Sequence, residues 1–232
     1  MREEKRRAMT AAVSGVLDAA KDFEVTIADT PERLRDAYRL RHQVYCMERG
    51  YEPGDGTLET DRFDRRAGHA LLTQRSTGRL VGTVRIVAPA NRGQGLDLPM
   101  QSLCGEGAFR SLPTYRTGEI SRFAISKALR DSSADGIPLR LGLMRGVVQL
   151  SSEMGIHNWC AIMEHTLLRL LRGSGIHFQP LGPAVEYHGL RQPCWGPVTQ
   201  VLGRMREERR AVWEYVTDGG TLWPHQIEAV AA

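Results

Sequence analysis

Six ionisable side chains in this chain stand where the surrounding pattern asks for apolar residues. In the strand-like run Glu119-Ile120-Ser121-Arg122-Phe123-Ala124-Ile125-Ser126, a carboxylate and a guanidinium interrupt the apolar alternation. Arg41, Asp61, Asp64 and Arg85 stand upstream in similarly awkward places. Taking a charge out of water is costly unless a partner comes with it. Three arginines and three carboxylates placed this way can pair, hold a polar substrate and move a proton, so they are read as gathered around a reaction. The plainer alternative has two parts. Arg41 and Arg85 can lay their methylene stems along the core edge with the heads in water. Asp61 and Asp64 can belong to a buried ion network that touches no substrate.

The elements that must position these groups follow from periodicity. Residues 30–48 read as a helix, with Leu34, Ala37, Tyr38, Arg41, Val44, Tyr45 and Glu48 on one stripe. Thr30 is its cap, Pro31 opens it and Glu32 sits at the positive end of the dipole. Residues 80–88 read as a central strand, apolar on both faces and interrupted once by Arg85, which shares a face with Val81 and Val87. An edge strand is expected at 23–28, and an antiparallel hairpin joins 69–74 to the central strand through a turn at 76–78. The polar stretch 50–68 is long enough for a lid or binding loop. Residues 90–114, with Leu96, Leu98, Met100, Leu103 and Phe109, read as a folded-over insertion. The strand at 117–126 follows, then a loop at 127–137 and a helix opened by Pro138 and stopped by Gly155. A strand at 157–163, a helix at 164–172, a last sheet region at 176–190 and a helix at 198–215 complete the order. The sum is one α/β domain with a mixed central sheet flanked by helices, antiparallel first and with a parallel crossover later. Its expected bounds are 23–220, with an N-terminal helix or arm at 1–22 and a C-terminal tail at 221–232.

At 232 residues the chain can bury a core without disulfide staples. Cys46, Cys104, Cys160 and Cys194 show no metal-ligand spacing, which points to a reducing compartment and no metal site. The net charge of +4 is spread along the chain, and the basic runs at 2–7, 65–66 and 204–210 read as solvated faces or a dock for an acidic partner. No basic stretch interleaved with aromatics suggests nucleic acid. No window is apolar enough to span a membrane, and the weak apolar run at 8–17 is not read as a signal peptide, so a cytoplasmic protein is expected.

The spacing Arg41-x3-Tyr45-x5-Tyr51-x9-Asp61-x2-Asp64, then Arg85, then Glu119-x-Ser121-Arg122, resembles the signature of acyl-homoserine-lactone (autoinducer) synthases. Those enzymes are similar to N-acyl amino acid synthases and to the acyltransferases of PEP-CTERM/exosortase systems, and all resemble the GNAT N-acyltransferase fold. Glu186-Tyr187-His188-Gly189-Leu190-Arg191-Gln192-Pro193-Cys194 looks most like the exosortase-associated branch. Tyr45 and Tyr51 depart from the Phe and Trp usual in autoinducer synthases. A clean pyrophosphate loop is missing, residues 139–146 being a degenerate version, which favours an acyl carrier protein donor over acyl-CoA.

The resemblance implies transfer of a fatty acyl group from a phosphopantetheine thioester to the amine of a small molecule, an amino acid or related metabolite, with no tightly bound cofactor. Glu119 would take the ammonium proton, directly or through a water. Ser121 would orient the amine or a water, and a backbone N–H near Phe123 would hold the oxyanion where two parallel strands splay. Arg122 points away from Glu119 in a regular strand, so it is expected to brace Asp61 or Asp64. Arg41, Tyr45, Tyr51, Asp61, Asp64, Arg85 and Phe123 would shape the substrate pocket. A coenzyme A-dependent enzyme and a non-catalytic binding module of the same fold stay open. Cys160 reads as core packing or an acylated nucleophile, and His188 as a proton-transfer partner lacking a Ser or Cys. Trp159, Met144 and Met163 read as core, or as the lining of an acyl tunnel.

Overall fold

The computed structural model describes residues 14–224 except 55, 91–95, 111, 114–115 and 131–135. The basic run at 2–7, the apolar run at 8–17 up to residue 13, the end of the expected tail and part of the 127–137 loop therefore lie outside the described residues. Among those described, eight strands form one sheet: β1 (Phe23–Ile27), β2 (Ala67–Gln74), β3 (Arg79–Val87), β4 (Thr117–Ile125), β5 (Asn158–Glu164), β6 (Gln179–Pro180), β7 (Val185–Glu186) and β8 (Leu190–Pro197). Their order is β1-β2-β3-β4-β5-β8-β6, with β7 paired to β8. The β4–β5 pairing is parallel and every other is antiparallel.

Strand alternation puts the two faces of the sheet to different uses. In β2, Ala70 and Leu72 join the main core, whereas Leu71 turns to the other face and packs with Ala28, Ala37 and Leu34. The long helix α4 (Gly136–Met154) lies on the first face. It comes so close that a Cβ at Gly146 would stand 2.6 Å from the Ala70 Cβ. Helix α2 (Pro31–Arg41) covers the second face. The other helices are α1 (residues 14–20), α3 (Lys127–Arg130), α5 (His165–Gly173), α6 (Val198–Glu208) and α7 (Arg210–Thr217). Trp223 is fully buried in the main core, packed there with Trp213 and Val216.

Three expectations are corrected. The helix read over 30–48 is α-helical only to Arg41; His42–Glu48 is a π-helical turn, in which Arg49 N donates to Val44 O at 3.1 Å. The last sheet region is mostly C-terminal to 176–190, because the long strand is β8 at Leu190–Pro197 and β6 and β7 are two-residue pairings against it. The single helix read over 198–215 is broken at Arg209, whose φ of −144° and ψ of 61° are not helical. Thr30 caps α2 as expected, its Oγ1 accepting from Arg33 N at 3.3 Å.

The insertion carries two short 3-10 turns, Pro99–Ser102 and Glu106–Phe109. Its Leu96, Leu98 and Met100 bury a second small core against Val87 and Cys160. Asp97 is clipped by Arg62 Nη2 at 3.1 Å and Arg66 Nη1 at 2.8 Å, which fixes the insertion to the connector beside β2. Among the described residues no helix is long and apolar enough to cross a membrane.

Candidate active site

Four elements converge on one ionic network. Arg41, the last residue of α2, is fully buried and grips Asp64 with both terminal nitrogens, at 2.7 and 3.2 Å, while its Nε donates to Glu59. Arg85, fully buried in β3, donates from Nη1 to Asp61 at 2.7 Å and to Asp64 at 2.8 Å. The connector delivers all three of these carboxylates. Its 3-10 turn at Arg62–Arg66 is closed by a reciprocal cap: Asp61 Oδ1 accepts from Phe63 N, and Asp64 Oδ2 accepts from Asp61 N at 2.7 Å. Burial alone raises the Asp64 carboxyl, but His69, Arg41 and Arg85 together hold it well below the usual carboxylate range. Burial pushes His69 itself below its ordinary value, so it stands neutral, Nε2 lying 3.4 Å from Asp64 Oδ1.

Arg122 reaches this network because β4 is not regular. Arg85 pairs with Ser121 and Thr83 with Ala124, so Val84 alone faces Arg122 and Phe123, which makes a β-bulge. Arg122 carries the left-handed φ of +50° that the bulge demands. The expectation that it turns away from Glu119 in a regular strand is thereby overturned. Its Nη2 lies 2.8 Å from Glu59, 3.2 Å from Glu52 and 3.4 Å from Asp61. The ion pairs offset the roughly 1 kcal/mol or more that a strained backbone costs. Asp61 is braced as expected, yet the strongest partner is Glu59.

Beyond Glu119 and Cys160 the parallel pairing of β4 and β5 ends, and the two strands diverge. The opening holds a cavity of about 360 Å³. One wall is ionic, with Asp61, Glu119, Ser121 and Arg122; the other is apolar, with Met144 of α4, Met163 of β5 and Leu167, Leu170 and Leu171 of α5. Phe123, Tyr45 and Tyr51 also line it. Arg41, Asp64, Arg85 and Glu59 do not; they sit behind the ionic wall and hold it. Glu119 Oε2 accepts from Met100 N at 2.8 Å. Burial drives the Glu119 carboxyl up to about 8, against the pull of the Met100 amide, Arg85 and Arg122. Ser121 Oγ accepts from Arg85 Nε at 3.1 Å, which leaves its hydroxyl proton to donate.

Cys160 is fully buried, and burial lifts its thiol well above the ordinary value, so it packs and stays inert. Trp159 is core, its Nε1 donating to Ser151 Oγ at 2.8 Å. Residues 139–146 lie inside α4, with Leu139, Leu141 and Gly142 buried, so they do not form a phosphate loop. Sequence reasoning missed Glu59, His69, Glu52 and the Met100 amide. Glu59 had a signal, since it alternates with Asp61 in an extended run, and so had His69, which opens a strand beside Arg85. The Met100 amide had none, because a backbone donor is invisible to residue type. Among the described residues no cluster of His, Cys, Asp and Glu is arranged to hold a metal ion.

A family profile for the acetyltransferase (GNAT) domain matches residues 40–137, from the end of α2 to the start of α4. Over that stretch the chain is similar to the GNAT acetyltransferase domain. Several solved structures are similar in fold. The acyl-homoserine-lactone synthase LasI is 18% identical, with 75% of this chain and 88% of LasI covered at a TM-score of 0.58. BjaI, a CoA-dependent acyl-homoserine lactone synthase solved with SAM and isopentyl-CoA, is 23% identical, covering 84% and 87% at 0.58. FeeM, an N-acyl amino acid synthase from uncultured soil microbes, is 18% identical, covering 78% and 93% at 0.58. At these identities the likeness is one of GNAT fold. No curated protein matches the sequence.

Proposed function

We propose that the protein is an N-acyltransferase that moves a fatty acyl group from acyl carrier protein to the amine of a small molecule, an amino acid or related metabolite. The observation that carries this reading is the two-walled cavity: a buried carboxylate with ionic neighbours on one side, methionines and leucines on the other. The ionic wall suits an ammonium and its proton, the apolar wall an acyl chain. In the reaction the amine nitrogen attacks the thioester carbonyl, the N–C bond forms, the C–S bond breaks and the thiolate leaves. Glu119 takes the amine proton. Burial drives its carboxyl up to about 8, closer to the range of an ammonium than an ordinary carboxylate lies, which eases the transfer. Ser121 donates to a water or the substrate, and Arg122, Tyr45, Tyr51, Asp61 and Phe123 surround the acceptor. Arg41, Asp64 and Arg85 act as positioning residues behind them.

The carrier-protein donor is supported by the helical burial of residues 139–146, the one stretch near a pyrophosphate pattern. With such a donor the work is read as cytoplasmic, and the likeness of residues 186–194 supports a reading beside the PEP-CTERM/exosortase-associated acyltransferases. A coenzyme A donor is the second reading, favoured by the likeness to CoA-dependent BjaI. The test incubates purified protein with acyl carrier protein thioesters or acyl-CoAs and a panel of amines, and reads products by mass spectrometry. An N-acylated product from carrier thioesters is expected. Product from acyl-CoA alone would replace the donor, and no product from either would sink the reading.

A further inference from the structure

At the mouth of the cavity, two guanidiniums share one carboxylate. The turn joining β7 to β8 is tight: His188 has φ +51° and Gly189 φ +97°, and Tyr187 N donates to Gly189 O at 3.0 Å. It lays the His188 ring flat on Tyr51, with centroids 4.3 Å and planes 11° apart. Arg191 follows, its guanidinium carbon 5.7 Å from the Tyr51 ring centre and 5.6 Å from that of Tyr187. Arg49 approaches Tyr51 from the π-helical turn, its guanidinium 5.4 Å from the ring centre and its Nη1 donating to the hydroxyl oxygen at 3.0 Å. The shared anion is Glu164, 3.1 Å from Arg191 and 3.9 Å from Arg49. Glu164 is 46% exposed, against 15% for Arg191 and 29% for Arg49. Arg191 Nε is buried with no hydrogen-bond partner.

Two fixed cations therefore face one anion that is loosely held and half in water, with a buried N–H still unsatisfied. Planar guanidinium N–H groups beside a replaceable carboxylate are the chemistry that receives another carboxylate. The place is continuous with the ionic wall: Tyr51 lies 6.4 Å from Tyr45, Tyr45 lies 5.4 Å from the Arg122 guanidinium, and Arg122 lies 3.4 Å from Asp61. We infer that Arg49 and Arg191 form the acceptor's carboxylate subsite, with Glu164 as the internal anion the substrate displaces, so that the acceptor is an aminocarboxylate held by its acid at the mouth and presenting its amine to Glu119. The inference rests on the proposed acyl transfer and adds which residues choose the acceptor. Tyr51 and His188 form the stacked floor that keeps both arginines aimed.

The experiment compares L-amino acids with their carboxamides, both as acceptors in the acylation assay and as ligands in calorimetric titrations of the unacylated protein. The free acid is expected to be preferred at least tenfold in kcat/KM over its carboxamide. Arg191→Gln brings that ratio to about one, chiefly through KM for the acid. Glu164→Gln, which removes the competing anion, lowers KM for the acid several-fold, a gain that a merely structural role would not give. Acylation of acid and carboxamide alike would overturn the subsite and leave the acyltransferase reading standing. Acid-selective binding that depends on Arg191 without any acylation would do the reverse. If Arg191→Gln instead raises KM for the acyl donor and leaves the acid-to-carboxamide ratio intact, the mouth reads a donor phosphate and the inference fails.

Discussion

The two walls of the cavity are held by opposite kinds of force. The ionic wall depends on pairings among buried charges that come from α2, the connector, β3 and β4. The apolar wall of α4, β5 and α5 depends on volume. A buried ion pair contributes little net stability when complete, because desolvation offsets the attraction, yet it is expensive to break from one side. An apolar wall is graded: its cost follows the number of methylenes lost. One wall should therefore fail all at once and the other by degrees.

The sharpest break is Asp64→Ala. It strips Arg41 of a two-pronged partner and Arg85 of one of two, leaving uncompensated guanidinium charge in the interior. A loss of about 3–5 kcal/mol is expected by denaturant unfolding, against under about 1.5 kcal/mol for the volume-conserving Met144→Leu on the opposite wall. Similar losses for the two would mean that the network is solvated. Glu119→Gln should keep the fold, since an amide oxygen still accepts from Met100 N, but lower turnover by about 10²–10⁴. Undiminished turnover would take the base role from Glu119. On the apolar side, Met163→Phe intrudes into the cavity. Each methylene of acyl chain it displaces should cost about 0.8 kcal/mol, near fourfold in kcat/KM, which a donor series of stepped chain length would display as a shift to shorter acyl groups.

The contrast also explains what could be read from residues alone. The ionic wall was largely legible, because a charge in an apolar pattern is conspicuous: Arg41, Arg85 and Glu119 stood out by periodicity, and all three are buried. Glu59 escaped because its one signal, alternation with Asp61, is faint in a polar connector. The bulge at Arg122 escaped too, since a run of Ser-Arg-Phe gives no sign that two residues will face Val84 alone. The apolar wall was legible as core but not as a cavity. Met144, Met163 and Leu171 have the same types whether they meet neighbours or enclose space, and only the divergence of β4 and β5 decides.

Within the ionic wall, the two kinds of carboxylate should respond to pH with opposite sign. Asp64 titrates below its unfolded value, so its stabilisation is complete above about pH 4 and is lost as pH falls. Glu119 titrates near 8, above its unfolded value near 4.3. Between those limits the folded protein keeps a proton that the unfolded chain has released, so this residue's contribution to stability declines as pH rises and levels off above about 8. Glu119→Gln has no such proton to keep. Thermal midpoints of the variant and the parent should therefore lie close together at pH 5 and separate by on the order of ten degrees in the variant's favour by pH 8. A constant gap across that range would mean that Glu119 ionises like a solvated carboxylate, and its match to the ammonium of an acceptor would be lost with it.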